Sequence, residues 1–147
     1  MAAVRDILYN VRITSTVGDM DVDVKGIAFD SRKVEPGFLF VAVKGTQADG
    51  HAFIDKSITL SATVIVCNSL PEATNNSVTY VTVKDSALAL GVICGNFYGN
   101  PSKKLKLVGV TGTNGKTTVA TLLFQLFTAM GKKCGLLSTV ENRIVDK

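Results

Sequence analysis

The residue types that hold a polyphosphate occur together in the segment GVTGTNGKTT, residues 109–118. Glycines let a backbone approach phosphate oxygens closely, and successive N–H groups at the start of a helix direct the positive ends of their dipoles at them. The ammonium group of Lys116 can reach the β- and γ-phosphates, and the hydroxyl of Thr117 can coordinate Mg²⁺. The segment therefore predicts a nucleoside triphosphate site rather than an ordinary glycine-rich turn between a strand and a helix.

This segment departs at one position from the general phosphate-loop pattern G-x-x-x-x-G-K-[ST]. The pattern requires a glycine at position 110, where the chain has Val110. Gly112 supplies a glycine inside the loop instead. The segment is thus specific for a nucleoside triphosphate, and it does not by itself identify the reaction.

The elements that flank this segment are those that a phosphate-binding loop needs. Residues 105–110 are apolar and predict a strand, and residues 117–130 have one apolar face and predict a helix that stops at Gly131. A further apolar strand is predicted to begin at 134–137. A parallel sheet needs helices on both faces, and the residues from Lys103 onward cannot supply them. We therefore expect these residues to be the truncated start of a larger domain.

Upstream of this region, predicted strands and helices alternate along the chain. Strands are predicted at 20–29, 38–43, 63–67 and 78–83, and helices at 4–11, at 51–60 and from Asp85 or Ser86 to Phe97. This alternation indicates an α/β fold. The breaker cluster at 98–101 ends the last of these helices, so we predict two domains, 1–102 and 103–147.

The composition of the 147-residue chain excludes several classes of protein. It is 46% hydrophobic and 19% charged, as in a globular rather than a disordered chain. Aromatic residues make up 7% without any tryptophan, and the net charge of +4 is scattered, so nucleic acid is not an expected partner. No apolar run approaches the roughly 18 residues that a membrane span needs, and the first residues do not resemble a signal peptide.

Three cysteines, Cys67, Cys94 and Cys134, match no zinc or redox spacing. Their odd number argues against a disulfide framework, and each lies in an apolar run. We therefore expect three buried thiols and a cytoplasmic, reducing environment.

Beyond these patterns, three segments resemble the Mur ligases, which make the peptide of bacterial cell-wall precursors. Residues 109–118 follow an apolar strand as in that family, and Val110 fits its shortened loop. Residues 29–42 resemble the family segment DSR…PGxLFxA, and residues 44–51 resemble its next loop, G-x-Q-A-D-G. The resemblance covers nearly the whole chain, and it is strongest to the members that add a diamino acid to UDP-N-acetylmuramoyl-L-alanyl-D-glutamate.

The resemblance implies a three-domain, ATP-dependent amide ligase of peptidoglycan biosynthesis, of which this chain contains the first part. Residues 1–102 would form a small α/β domain that binds the UDP-linked substrate, and residues 103–147 would start a Rossmann-like P-loop ATPase domain. The implied reaction uses ATP and Mg²⁺ to form an acyl phosphate on the substrate. The amine of meso-diaminopimelate or L-lysine then displaces phosphate. The amino-acid site would lie outside this chain, which we expect to bind the UDP-substrate and to be inactive alone.

The resemblance also implies site residues, and we name them by their positions in this sequence. Two groups of residues would contact the UDP-substrate: Phe29 and Ser31, then Thr46, Gln47 and Ala48. Many relatives have His at the position of Thr46. ATP would be held by Gly112, Thr113, Asn114, Gly115, Lys116, Thr117 and Thr118. Within that loop, Lys116 would be the catalytic residue and Thr117 the ligand of Mg²⁺.

From the residues alone, the N-terminal candidates allow two interpretations. Ser31 and Arg32 could offer a hydroxyl and a fork of N–H donors to a diphosphate. Equally, residues 30–31 could form a turn whose side chains bond the local backbone, with Arg32 a solvated charge. Gln47 alone fits a polar loop tip.

Two neighbouring residues carry no expected catalytic role. His51 is interpreted as a residue at the start of a helix rather than a base, and Asp49 as a cap or turn residue.

Three alternative functions remain open at the level of sequence. The chain could belong to another P-loop enzyme, such as a small kinase or a GTPase. It could be a stand-alone UDP-sugar-binding module with a vestigial P-loop. It could also belong to the sibling ligase that adds D-Ala-D-Ala, although the usual loop of that ligase differs from residues 111–118.

Overall fold

A computed structural model describes residues 1–45 and 48–144. The chain divides into two compact units, Met1–Leu105 and Lys106–Lys147. The strands of the first unit are β1 Ala2–Ala3, β2 Ile13–Val17, β3 Asp23–Val24, β4 Gly26–Ala28, β5 Phe38–Val41, β6 Val64–Cys67 and β7 Thr79–Val83. Its helices are α1 Val4–Ile7, α2 Ile54–Thr59 and α3 Ser86–Phe97, with 3₁₀ turns at Ser31–Lys33, Gly50–Phe53 and Pro101–Lys104. Among the described residues of the whole chain, no helix is long and apolar enough to cross a membrane.

The first unit is built on a five-stranded sheet with the order β2-β7-β6-β5-β4. Strands β4 to β7 are parallel, and β2 pairs antiparallel with β7 at one edge. Strands β5 and β6 are almost continuously apolar, as expected of strands that are covered on both faces. This sheet confirms the predicted α/β fold.

Alternate side chains of the central strands enter two separate cores, one on each face of the sheet. One core contains Leu39, Val41, Val64, Val66 and Val81, packed with Val4 and Ile7 of α1 and Ile93 of α3. The other contains Phe40, Ile65, Cys67 and Tyr80, packed with Ile54 of α2. Burial of both faces fixes the register, since a slip of one residue would exchange the two cores.

The four parallel strands end at the same edge of the sheet, after Ala28, Val41, Cys67 and Val83. The described segments that leave this edge are residues 29–33, 42–45, 48–53, 68–70 and 84–86. Ligands of open α/β sheets bind outside the carboxyl ends of the strands, so this edge is where a site is expected.

The structure confirms most predicted elements of the first unit and corrects three. The predicted helix 4–11 is only Val4–Ile7, because the chain turns at Asn10, whose φ is 62°. The single strand predicted at 20–29 is wrong: β3 pairs with β1, whereas β4 pairs with β5, so the segment divides at Lys25. Strand β2 was not predicted, because its residues are all exposed and show no apolar alternation.

The second unit contains helix α4, Lys116–Ala129, followed by the hairpin β8 Gly135–Leu137 and β9 Asn142–Ile144. Helix α4 agrees with the prediction, and Gly131 stops it with a φ of 72°. The strand predicted at 105–110 is wrong: in the described part of this unit the only paired strands are β8 and β9, and residues 106–110 have no strand partner. Leu107 is accordingly 90% exposed.

Helix α4 keeps its apolar face uncovered within the described second unit. None of its residues is buried, and the exposed apolar side chains include Val119, Leu122 and Leu126. This agrees with the expectation that the second unit does not cover its own apolar surface.

The cysteines only partly follow the expectation of three buried thiols. Cys67 is fully buried on β6, and burial raises the pKa of its thiol to about 11. Cys94 and Cys134 are only partly buried, so the expectation is wrong for these two. Cys94 lies on α3, where burial still raises the pKa of its thiol, and Cys134 lies directly before β8.

A tight hairpin follows β5 and carries part of the predicted substrate loop. Lys44 pairs with Asp49, the amide of Gly45 donates to the carbonyl of Ala48 at 2.9 Å, and that of Gly50 donates to the carbonyl of Val43 at 2.9 Å. A Cβ atom on Gly50 would lie 2.6 Å from the carbonyl oxygen of Val43. This close backbone approach explains why the position needs glycine.

We predict that Gly50→Ala lowers the free energy of unfolding by about 1–3 kcal/mol, because the clash is with backbone that cannot rotate away. The matched control is Gly91→Ala in α3, where an added Cβ meets no atom within 4 Å. That change should raise stability by about 0.5–1 kcal/mol, since alanine favours a helix interior over glycine. Urea unfolding followed by circular dichroism measures both, and equal stability of the two variants would contradict the assigned hairpin geometry.

Candidate functional site

A cleft with a volume of about 610 Å³ opens at the carboxyl ends of β4 and β5. Its walls come from the residues after β4, the hairpin after β5 and helix α2 with the 3₁₀ turn before it. The lining residues are Phe29, Asp30, Ser31, Arg32, Val43, Gly45, Ala48, Gly50, Phe53 and Lys56. The cleft thus combines apolar, hydroxyl, cationic and backbone groups, and its size is typical of a site for a small organic ligand.

Three of the five predicted substrate residues line this cleft: Phe29, Ser31 and Ala48. Phe29 is 65% exposed, whereas Ser31 is buried. Because Ser31 lines the cleft, its hydroxyl can meet a ligand there. The other two predicted residues, Thr46 and Gln47, lie outside the described residues.

Two lining residues, Phe53 and Lys56, were not identified from the sequence. Lys56 lies in α2 and Phe53 in the 3₁₀ turn before it, three residues apart, so both reach the same side. In the sequence, residues 51–60 show only the weak periodicity of a short helix. The signal in the sequence was the spacing of three residues between Phe53 and Lys56, which places an aromatic ring and an ammonium group on the same side of a helix.

Asp30 and Arg32 form a local ion pair at the rim of the cleft. The Arg32 Nη2 and Nε atoms donate to the Asp30 carboxylate at 2.7 and 2.9 Å, and the Arg32 amide donates to the same carboxylate at 3.0 Å. The side-chain hydrogen bond from Arg32 lowers the pKa of Asp30 to about 2, and Asp30 in turn raises the pKa of Arg32. Asp30 thus bonds the local backbone, as one of the two interpretations predicts, whereas Arg32 is paired with Asp30 rather than being an unpaired solvated charge.

Asp49 and His51 fix the closing end of the hairpin. Asp49 accepts from the His51 amide at 3.0 Å and so caps the 3₁₀ turn Gly50–Phe53, as predicted. The His51 Nδ1 lies 2.6 Å from the Asp49 carboxylate, and the Asn68 amide donates to Nε2 at 2.9 Å. Hydrogen bonds from the His51 amide and ring lower the pKa of Asp49. Because Nε2 accepts a hydrogen bond, the proton of the neutral ring is assigned to Nδ1.

The second unit contains the predicted phosphate loop in an open conformation. Gly115 has a φ of 77°, a left-handed turn that directs the chain into α4 at Lys116. The start of α4 has no side-chain cap and no acidic residue in its first turn, and residues 111–116 are exposed. Its first N–H groups are therefore free to bind an anion, which the helix dipole also favours.

The side chain of Lys116 folds over this loop. Its Nζ donates to the carbonyl oxygens of Gly112 at 2.6 Å and Thr113 at 3.2 Å. The ammonium group is thus held on the same side as the loop, and the residues predicted to bind ATP lie together. An anion could replace these carbonyls with stronger, charge-assisted hydrogen bonds.

The residues of this loop fit a nucleoside polyphosphate better than a metal ion bound by protein alone. Within residues 1–45 and 48–144, no group of three or more His, Cys, Asp or Glu side chains could hold a metal. The hydroxyl of Thr117, in the first turn of α4, would supply one oxygen to Mg²⁺. Such an ion usually takes its other ligands from phosphates and water.

We predict that Arg32→Ala raises the pKa of Asp30 from about 2 toward its ordinary value of 3.8. Because the pKa of Asp30 is lower in the folded chain, its ion pair adds stability above about pH 4, and this is lost as the pH falls toward 2. A ¹³C NMR titration of the carboxyl carbon measures the shift. Lys33→Ala is the control, since Lys33 is the weakest of the groups that act on Asp30. An Asp30 that still titrates near 2 without Arg32 would contradict the assignment.

Sequence comparison finds close relatives over almost the whole chain. It is 57% identical over 145 residues to the UDP-N-acetylmuramoyl-L-alanyl-D-glutamate–2,6-diaminopimelate ligase of Cytophaga hutchinsonii, covering 98% of this chain and 30% of that protein. It is 50% identical over 141 residues to the ligase of the same name from Phocaeicola vulgatus, covering 96% of this chain and 29% of the relative. The chain thus spans about 30% of the length of these relatives.

Comparison with solved structures finds the same fold. A 2,6-diaminopimelate ligase matches 99% of this chain and 29% of its own with a TM-score of 0.72 and 23% identity. The MurF ligase from Thermotoga maritima in complex with ADP matches 75% of this chain and 24% of its own, with a TM-score of 0.54 and 29% identity. The first likeness establishes the fold of this chain.

Two family models match consecutive parts of the sequence. The model described as Mur ligase family, catalytic domain, matches residues 23–98, and the Mur ligase middle domain matches residues 110–147. The first match covers more than half of the chain and includes the cleft, and the second includes the phosphate loop. The chain belongs to the Mur ligase family.

Proposed function

We propose that this chain forms the UDP-substrate site and the first part of the ATP site of a UDP-N-acetylmuramoyl-L-alanyl-D-glutamate–2,6-diaminopimelate ligase. The observation that carries this proposal is the 57% identity over 98% of the chain to a ligase of that name. The relatives favour diaminopimelate over L-lysine as the amino acid that is added. The site for that amino acid would lie outside this chain.

The cleft of the first unit has the groups that a UDP-linked sugar needs. The exposed ring of Phe29 offers a flat apolar face on which a uracil can stack. The buried hydroxyl of Ser31 can donate to a diphosphate oxygen, and the ammonium of Lys56 supplies positive charge. Because Arg32 is paired with Asp30, we assign the main cationic role in the cleft to Lys56 rather than Arg32.

The phosphate loop of the second unit would hold ATP through residues 112–118. Bound ATP would supply the phosphoryl group that activates the substrate carboxylate. The amides at the start of α4 and the ammonium of Lys116 would stabilise charge that develops on the phosphate oxygens, and Thr117 would coordinate Mg²⁺. The catalytic role of Lys116 is therefore electrostatic.

The alternative functions have less support. The relatives named above are ligases, which does not favour a small kinase, a GTPase or a stand-alone UDP-sugar module. The sibling ligases that add D-alanyl-D-alanine match only 73–75% of the chain at TM-scores of 0.53–0.55. We also propose the cytoplasm as the compartment, because the three cysteines are free and suit a reducing environment.

The proposal is tested by calorimetric titration of the chain with UDP-N-acetylmuramoyl-L-alanyl-D-glutamate, with UDP and ATP titrated separately. We expect saturable binding of the UDP-substrate and competition by UDP. Ser31→Ala should weaken this binding about tenfold, because it removes one hydrogen bond to a charged group. Ser102→Ala, at an exposed serine, is the matched control and should leave the affinity unchanged.

A second variant separates the two ligand sites. Lys116→Ala should remove the binding of ATP, and the ATP-dependent activity of a complete ligase that contains this segment, while the affinity for the UDP-substrate stays within about twofold. Lys132→Ala, an exposed lysine beyond α4, should change neither. No heat with the UDP-substrate would refute the first assignment, and equal loss of both ligands in Lys116→Ala would refute the division between the units.

A further inference from the structure

A chain of hydrogen bonds runs from the substrate hairpin to the start of α3. It passes from Asp49 through both ring nitrogens of His51 to the amide of Asn68. The Asn68 side chain continues it, donating to the carbonyl of Lys84 at 2.9 Å and accepting from the hydroxyl of Ser86 at 2.8 Å. The ring of His51 is the link between the hairpin and the ends of the two neighbouring strands, β6 and β7.

The chain that enters the hairpin is bonded to β6 at Ala42, whose amide donates to the carbonyl of Val66 at 2.8 Å, but within the described residues the segment 44–50 itself makes no hydrogen bond to another strand. The other hydrogen bonds of residues 44–50 stay within residues 43–52, including those from Gly45 to Ala48 and from Gly50 to Val43. Beyond this segment, the His51 ring accepts a hydrogen bond from the amide of Asn68, which is 17 residues away in sequence. Capping by Asp49 requires only the His51 amide, so the cap does not explain the ring.

The ring of His51 stands behind the cleft rather than in it. The hairpin presents Gly45, Ala48 and Gly50 to the cleft, whereas His51 is not among the lining residues. The side chain of His51 is 20% exposed, and both of its nitrogens have protein partners. It can therefore act on a ligand only through the wall that it holds.

We infer that His51 is a positioning residue for the UDP-substrate cleft, because its imidazole ties the hairpin that forms one cleft wall to the carboxyl end of β6. This inference rests on the proposed function of the cleft. His51 would thereby fix the distance between the hairpin wall and the opposite wall of the cleft, at Phe29 and Ser31. A ligand that bridges the two walls would bind weakly if this tether were broken, because it would have to order the hairpin on binding.

Two conservative variants distinguish the two hydrogen bonds of the imidazole, the one to Asp49 and the one to Asn68. The side-chain amide of His51→Asn can replace Nδ1 as the donor to Asp49 but cannot reach Asn68. The longer amide of His51→Gln can place an oxygen near the position of Nε2 and accept from the Asn68 amide. If the tether to β6 matters, Gln should rescue binding and Asn should not.

The test is the affinity of the full chain and its variants for UDP-N-acetylmuramoyl-L-alanyl-D-glutamate, measured by calorimetry. We expect His51→Ala and His51→Asn to weaken binding about tenfold, and His51→Gln to stay within about threefold of the parent chain. ATP affinity should be unchanged in all three, and Ser102→Ala again serves as the control. Unchanged affinity in His51→Ala, or equal rescue by Asn and Gln, would overturn the inference. If His51→Ala does not fold, the Asn and Gln pair still decides.

Hydrogen exchange separates failure of this inference from failure of the proposed function. Absence of binding by the parent chain would refute the proposed substrate, and the tether is then tested without ligand. The Asn68 amide should stay protected in His51→Gln and exchange about tenfold faster in His51→Asn, together with the amides of the hairpin. Equal protection in both variants would show that the ring does not hold the hairpin to β6.

Discussion

The first unit depends on the in-register parallel pairing of β4, β5, β6 and β7. Parallel pairing brings the carboxyl ends of these strands to one edge, and burial of both faces fixes which residues arrive there. Phe29 and Ser31 follow the end of β4, the glycine hairpin follows β5, and Asn68, to which the His51 ring is bonded, follows β6. The site is therefore a consequence of topology, to which the loops add the chemistry.

The candidate phosphate site of the second unit depends on a different constraint, the backbone conformation of one glycine. A left-handed glycine at position 115 lets the chain enter α4 without a side-chain cap, which leaves the first amides of the helix for a ligand. In the proposed function, the cleft would bind its ligand through a few side chains at the sheet edge, and the loop would bind through backbone dipoles and one lysine. The two anion sites that we propose for this chain thus rest on different physical principles.

Sequence could predict the features that depend on local pattern. The apolar runs of β5 and β6, the phosphate loop, α4 and the Asp49 cap all carry a signal in a few consecutive residues. Features set by distant partners were missed: β2 is a strand only because it pairs with β7, and residues 106–110 lack such a partner among the described residues. The role of the His51 ring was hidden for the same reason, since only the fold brings Asn68 to it.

We propose that the carboxyl edge of the parallel sheet holds the uridine diphosphate end of the substrate. The most direct test of this proposal is a titration of the ¹⁵N-labelled chain with UDP, followed by amide chemical shifts. We expect the largest changes at residues 29–32, 43–45 and 48–51, with little change at residues 112–118. The largest changes at amides far from this edge, or none at saturating UDP, would contradict it.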